Sequence, residues 1–411
     1  MDEAKTTPLL KRKQPQQTLT SPVTLKKQVQ QTLTSLHLPF DLVAEILCRL
    51  PVKHLIQFCC VCKSWGSLIS GDSKFAKKHL RLSNSRDDRH HLIMRMVQDS
   101  PEFFLCHSPI SSILSSASTT QYKSPLEVIL NKRYHGIEIS ACDGILCISI
   151  EWVNDSFVLL YNPSIRKLKI LPPLKFTHQR YVVISYTLVY DRFTNNYKVI
   201  AIAASSSKKE VNIHTLGTDC WRRINQDFPG PHLILIPRSG IFVNDSVNWL
   251  VYEVAGGSGF IVSLDFVKES YQKLSLPVFD MLFTISFMTL GTLRGCLSLL
   301  TPLFQSRDKF SDIWIMKEYD NEKSWIKLLS VPHMKEYGFY GYTKALYVSK
   351  DDQVLMEFLK NGKYNLVVYD SINNIFKIPK FQNKTYDLLF QNNIYAEMTQ
   401  KVYVESLISP L

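Results

Sequence analysis

Hairpin candidates recur along most of this chain with a period of about 50 residues, and that period limits the fold more than any other feature. Five of them echo one another: FVLLYNPSIRKLKILPP from Phe157, VNIHTLGTDCWRRINQDFP from Val211, IVSLDFVKESYQKLSLP from Ile261, DIWIMKEYDNEKSWIKLLSVP from Asp312 and YNLVVYDSINNIFKIPKF from Tyr364. Each reads as an alternating apolar strand, a polar turn and a second strand ending near a proline. A further hairpin precedes each, in order SACDGILCISI, YTLVYDRFTNNYKVIAI, GIFVNDSVNWLVY, TLGTLRGCLSLL and ALYVSKDDQVLMEF. Two hairpins make a four-stranded antiparallel sheet that cannot cover both its faces alone, whereas radial stacking covers them and leaves few free edges. The spacing therefore predicts a β-propeller. Five units leave residues 92–131 and 386–411 unassigned, so the simplest closure is a sixth blade with strands from both ends, five and seven blades also being compatible. Val402 to Ile408, VYVESLI, has the β character of the closing strand.

Upstream the periodicity is helical. After Pro39, positions Leu42, Val43, Ile46, Leu47 and Leu50 share one face, and Pro51 closes that element and opens a second with Val52, Leu55, Ile56 and Cys59. Val61, Cys62, Trp65, Leu68 and Ile69 form a third stripe, Gly71 stops it, and Asp72 or Ser73 can cap a last turn holding Phe75 and Leu80. The pattern predicts three or four short helices over residues 36–82. A module of about 45 residues cannot bury so many large apolar side chains in a core of its own. Some must face a partner, or cap the domain that follows.

The stretch LPFDLVAEILCRLPVKHL followed by VCKSW resembles the F-box of plant F-box proteins, the helical motif that docks on the Skp-type adaptor of a cullin ubiquitin ligase. Carried over residue by residue, the resemblance implies adaptor contacts by Leu38, Pro39, Ile46, Leu47, Leu50, Pro51, Val52, Leu55, Val61 and Trp65. Downstream, CDGILC, YNPSIRKLKILP, YDRFTNNYKVI, DIWIMKEY with its following SW, and YVESLISP resemble, in that order, the F-box-associated domain of the kelch-like interaction type. The two resemblances imply an α plus all-β chain: a basic, disordered tail at 1–35, a small three-helix F-box at 36–82, a polar linker at 83–91 and a kelch-like β-propeller at 92–411. The implied role is the substrate-recognition subunit of a Skp-cullin-F-box E3 ubiquitin ligase. Its partners would be the adaptor, a cullin through it, and an unidentified protein target. An F-box interaction protein that does not lead to degradation, or a propeller binding nucleic acid or a small molecule, are the other readings.

Chemistry of the catalytic kind finds little support. Cys59 and Cys62 form a C-x-x-C without a second ligand pair, so packing is expected of them and not metal. His90 and His91 read as solvated linker residues, and the AGGSGF run from Ala255 to Phe260 reads as a hairpin turn, since no lysine follows its glycines. No catalytic motif, metal set or cofactor fingerprint stands out, and a non-catalytic receptor is expected. Trp221, Trp249, Trp314 and Trp325 recur within hairpins, where they are expected to pack blade against blade. Arg180, Arg192, Arg222, Arg223 and Arg238 fall near inter-strand turns, as a solvated surface or as guanidiniums aimed at a phosphorylated target.

The net charge of +12 does not single out nucleic acid, because residues 1–35, 36–82 and the remaining 329 each contribute +4. The tail repeats QQTLTS and has no aromatic residue, and its Lys11, Arg12 and Lys13 could serve nuclear import. Nine unpatterned cysteines and the lack of an apolar leader give cytosol or nucleus as the expected compartment. The most apolar window, Ile285 to Phe304, is broken by Arg294, Gly291 and Gly295, so no membrane span is expected.

Overall fold

A computed structural model describes residues 38–97, 103–115, 118–119, 122–123, 136–151, 156–174, 182–204, 208–230, 233–253, 259–278, 288–303, 310–334, 342–360, 363–381 and 400–411. The tail at 1–35, Arg180 and the Ala255–Ser258 part of the glycine-rich run lie outside these residues, as does the side chain of Arg238. The chain divides into two compact units, 1–47 and 48–411.

The first unit carries helix α1, Phe40–Leu47. It opens where the fixed φ of Pro39 suits a helix start, with the Pro39 carbonyl accepting from the N–H groups of Leu42 (3.0 Å) and Val43 (3.2 Å). The second unit begins with α2, Val52–Phe58, directly after an extended Pro51, and continues with α3, Lys63–Gly71, and α4, Ser73–Asn84. Asp72 caps α4, its Oδ1 accepting from the N–H of Lys74 (2.7 Å) and Phe75 (3.1 Å). The expected last turn is thus a full 12-residue helix, and four helices stand where the family pattern implied three.

A 3₁₀ turn at Asp87–Arg89 leads into β1 (His90–Val97), β2 (Phe103–Pro109), helix α5 (Ile110–Ser115), β3 (Ser118–Thr119) and β4 (Tyr122–Lys123). Blade I is β5 (Gly136–Cys142), β6 (Ile145–Glu151), β7 (Ser156–Asn162) and β8 (Lys167–Ile170). Blade II is β9 (Val182–Asp191), β10 (Asn196–Ala204), β11 (Lys209–Thr215) and β12 (Trp221–Arg223). Blade III is β13 (Leu233–Val243), β14 (Ser246–Glu253), β15 (Gly259–Asp265) and β16 (Ser270–Leu274). Blade IV is β17 (Thr289–Leu293), β18 (Cys296–Leu303), β19 (Phe310–Met316) and β20 (Trp325–Pro332). Blade V is β21 (Tyr342–Val348), β22 (Gln353–Lys360), β23 (Lys363–Asp370) and β24 (Ile375–Lys377), followed by β25 (Lys380–Phe381) and β26 (Gln400–Val404). All ten predicted hairpins are present. Many of their turns are built alike: Asp191, Asp265 and Asp370 each accept from backbone N–H groups two and three residues on, and Asn195, Glu269 and Asn374 turn the chain back at positive φ.

Blade VI has the order β26-β1-β2-β4, so the last strand of the chain pairs antiparallel with the first, His90 opposite Val404 and Met94 opposite Gln400. This gives the six-bladed propeller with a shared closing blade. The closing strand ends at Val404, short of the expected Ile408. Beyond it one more backbone bond, from the Glu405 N–H to the Arg89 carbonyl (2.9 Å), precedes a stretch held by side chains. Asn162 Nδ2 donates to the carbonyls of Ser406 (3.1 Å) and Ile408 (2.8 Å), and Ser406 Oγ donates to the Asp143 carbonyl (2.7 Å). Gly144 is needed at this seam: its φ is +81°, and a Cβ there would meet the Val404 carbonyl oxygen at 2.6 Å.

Apolar clusters join neighbouring blades. Val189 and Ile200 of blade II pack with Trp249 and Leu264 of blade III, and Leu293 and Ile313 of blade IV with Val354 and Val367 of blade V. The tryptophans take part in this stacking. Trp249 is fully buried, while the indole N–H groups of Trp221 and Trp325 reach across to carbonyls of the preceding blade, Pro172 (2.8 Å) and Ser275 (3.1 Å).

Candidate adaptor-docking site

The ten residues implied as adaptor contacts divide three ways. Leu38, Pro39, Ile46 and Val61 are exposed, Ile46 at 54% and Val61 at 60%. Leu50, Pro51 and Trp65 are half-buried, Trp65 meeting Phe58 edge to face at 5.7 Å and so packing α3 on α2. Leu47, Val52 and Leu55 are buried, Leu55 completely. A side chain without exposed surface cannot add to an interface unless the fold opens, so these three are corrected from contacts to core. Helical spacing alone could not tell them apart, because both roles call for large apolar residues on one stripe.

Exposure also picks out residues that the motif did not. Within the first unit Phe40 and Leu42 leave large apolar surface in water, and within the second so does Ile56. Leu42 and Ile56 already stood in the apolar stripes of the sequence, and Phe40 directly precedes the first. A chain that leaves several such side chains uncovered carries the mark of an interaction surface.

The helices of the second unit are not a detached handle. Arg89, expected in a solvated linker, is buried and forms an ion pair with Glu405, while its Nη2 donates to the Arg49 carbonyl at 3.0 Å. His79 Nε2 donates to the Leu50 carbonyl (2.9 Å), binding α4 to the chain entering α2. From α4, Lys77 reaches Tyr190 Oη (3.2 Å) and Asn195 on the β9–β10 turn of blade II. Tyr347 Oη donates to Asp87 (2.7 Å), and Lys350 donates to the Ser85 carbonyl (3.1 Å), both from blade V. Residues 83–91 are therefore a seam and not a linker. Polarity alone does not show this, since charged residues that read as solvated can satisfy one another, as Arg86 does with Asp88 and Arg89 with Glu405.

The same seam places His90 and His91 in β1 instead of in solvent. His79, His90, His91 and His107 all have pKa values below the ordinary histidine range, in each case mainly because burial disfavours the charged ring. For His91 the value falls to about 4, with His107 and Arg89 adding repulsion. A lowered folded-state pKa means that the unfolded chain binds more protons between the two values, so stability is lost as pH falls from about 6.5 towards 4. For His91 alone the loss is on the order of 3 kcal/mol. Urea midpoints measured across that range are expected to drop, and His91→Gln is expected to flatten the slope. A slope unchanged by that substitution would remove His91 from the account.

Of the five arginines considered for a phosphorylated target, the three whose side chains are described are already matched. Arg192 pairs with Asp245, Arg222 with Glu269, and Arg223 with Glu210 and Asp227. Cys59 is half-buried with its thiol 3.4 Å from Ser70 Oγ, and Cys62 is exposed at the start of α3. Among the described residues no group of three His, Cys, Asp or Glu side chains gathers as a metal site.

A family model for the F-box domain matches residues 35–77, and one for the F-box associated beta propeller domain matches residues 93–410. This chain belongs to the F-box-associated β-propeller family. An F-box/kelch-repeat protein of Arabidopsis thaliana is 32% identical over 91% of this chain and 96% of its own length. The F-box protein CPR1 of the same plant is 25% identical over 81% of this chain and 82% of its own. In this F-box protein, then, the helices α2–α4 and the propeller share one compact unit, and the architecture is of a kind typical of non-catalytic adaptor proteins.

Proposed function

We propose that this F-box protein is the substrate-recognition subunit of a Skp-cullin-F-box ubiquitin ligase, with the exposed part of the F-box docking on the Skp-type adaptor and the propeller holding a protein target. The observation that carries the reading is the uncovered apolar surface of Leu38, Ile46, Ile56 and Val61 within a matched F-box. Each of these side chains gains roughly 1.5–3 kcal/mol on full burial, enough together to offset the entropy of association. The chain itself transfers nothing. Its part is proximity, holding a target lysine near a loaded conjugating enzyme and so raising its effective concentration. Its nine cysteines are free thiols, which suits the reducing cytosol or nucleus as its place of action.

Ile46→Asp and Val61→Asp are each expected to weaken adaptor binding by about two powers of ten, since a carboxylate would have to be desolvated in the interface. Their melting temperatures are expected to stay near that of the parent, because both positions are exposed. Leu55→Ala should behave the other way, losing about 2–5 kcal/mol of stability as a cavity opens under α2. Titration calorimetry beside thermal melts separates the two classes. Adaptor affinity untouched by both aspartates would sink the docking assignment. A target whose half-life does not change when the protein is depleted would favour a non-degradative interaction protein.

A further inference from the structure

At the centre of the propeller lies a cavity of about 970 Å³, walled by all six inner strands: β5, β9, β13, β17, β21 and β26. Its size is that of a site for a whole small molecule. Two lysines on adjacent inner strands line it, Lys344 of β21 and Lys401 of β26. Lys401 keeps part of its surface open to the cavity, yet burial is the main influence on its amine and holds the pKa at about 7, with the Lys344 ammonium adding repulsion. Lysines taken out of water normally sit beside a carboxylate.

The carboxylates that line the cavity have other partners in the fold. Asp143 accepts from Tyr197 Oη (2.9 Å), Asp87 accepts from Tyr347 Oη, and Asp352 pairs with Arg294. Lys344 lies directly opposite Glu357 in the β21–β22 ladder, where burial pushes that carboxyl towards its neutral form and Lys344 opposes the push. The other titratable group acting on Lys401 is the buried Cys142 thiol, whose own pKa is raised well above the usual value. Among the described residues no carboxylate acts on Lys401, and it shares the open cavity with Lys344. The remaining wall includes Ala141, Phe242, Ala345 and Val402, apolar residues that keep part of their surface open.

We propose that the central cavity binds a small organic phosphate, its phosphate groups held by Lys401 and Lys344 and its organic part by the apolar wall. Lysine is a compact point charge well suited to phosphate, and a multiply charged anion relieves the repulsion between the pair as no neutral ligand can. A lone phosphate would leave most of the cavity empty. Binding above neutral pH also requires Lys401 to take up a proton, and that uptake is a signature distinct from loose surface attraction.

The full-length protein is titrated by calorimetry at pH 8 with fructose 1,6-bisphosphate, inorganic phosphate and citrate at matched ionic strength, in buffers of differing ionisation enthalpy. The expected result is that the bisphosphate binds at least about tenfold more tightly than phosphate or citrate and takes up close to one proton. Lys401→Met, which removes a buried amine and keeps the length of the side chain, is expected to fold normally by circular dichroism, to lose at least about tenfold in affinity and to lose the proton uptake. Lys344→Met should lose affinity while folding as well. Equal affinity in parent and both methionine variants would overturn the proposal, as would citrate binding as tightly as the bisphosphate, or no binding of any of the three.

Discussion

Removing Gln400–Leu411 is expected to abolish the folded propeller, not merely to trim it. This segment supplies β26, the inner strand of blade VI, and its loss exposes the β1 edge from His90 to Met94. Tyr403, Val404, Leu407 and Ile408 are all buried, and at roughly 1.5–3 kcal/mol each their removal forfeits about 6–12 kcal/mol of gross burial. That compares with a total stability of about 5–15 kcal/mol for a typical domain. The polar seam goes too, leaving Asn162 without its three acceptors on Ser406 and Ile408. Because Glu405 leaves with the segment, the buried Arg89 loses its ion-pair partner and α2–α4 lose their hold on the closing strand. Thermal and urea melts of the truncated chain provide the check. A cooperative transition at the parent's midpoint would contradict the closure described here.

Replacing Arg89 by methionine is expected to cost about 3–5 kcal/mol, the usual penalty for breaking a buried ion pair from one side. The side chain is only 5% exposed, and it serves three partners at once: Glu405 after β26, the Arg49 carbonyl before α2, and Asp88 beside it. Burial already pushes the Glu405 carboxyl towards protonation, and Arg89 is what opposes it. Without the guanidinium the Glu405 carboxyl is expected to be pushed further up, so the variant's deficit relative to the parent should shrink as pH falls. The double change Arg89→Met with Glu405→Leu removes both charges and should be much closer to the parent than either single change. Chemical denaturation of the four proteins yields the coupling energy directly. Additive effects, with no coupling, would show that the pair does not act as a unit.

The same pair shows where reading the chain by composition fails. Residues 83–91 are charged and flanked by helix on one side and strand on the other, which is how a linker reads. In the structure Ser83 and Arg89 are buried, and the Arg89 carbonyl accepts from the Glu405 N–H at 2.9 Å. Nothing local announces a partner 316 residues away in sequence. The docking residues failed similarly at Leu47, Val52 and Leu55, whose apolar character serves core and interface equally well.

What the sequence determined by itself was the local and the periodic. Strand alternation, turn chemistry at Asp191, Asp265 and Asp370, the Asp72 cap and the Pro51 break are each settled within a few residues, so all ten hairpins and the helix starts could be read directly. The repeat length then called for a propeller, because stacked four-stranded sheets are the way such units cover their faces. Only the tertiary structure decided which apolar side chains of the F-box stay in water, that α4 and Arg89 are fastened to the propeller, and that Lys344 and Lys401 share one cavity. These outcomes depend on pairs of residues far apart in the chain, and burial and charge partnership arise only when the closing strand brings them together.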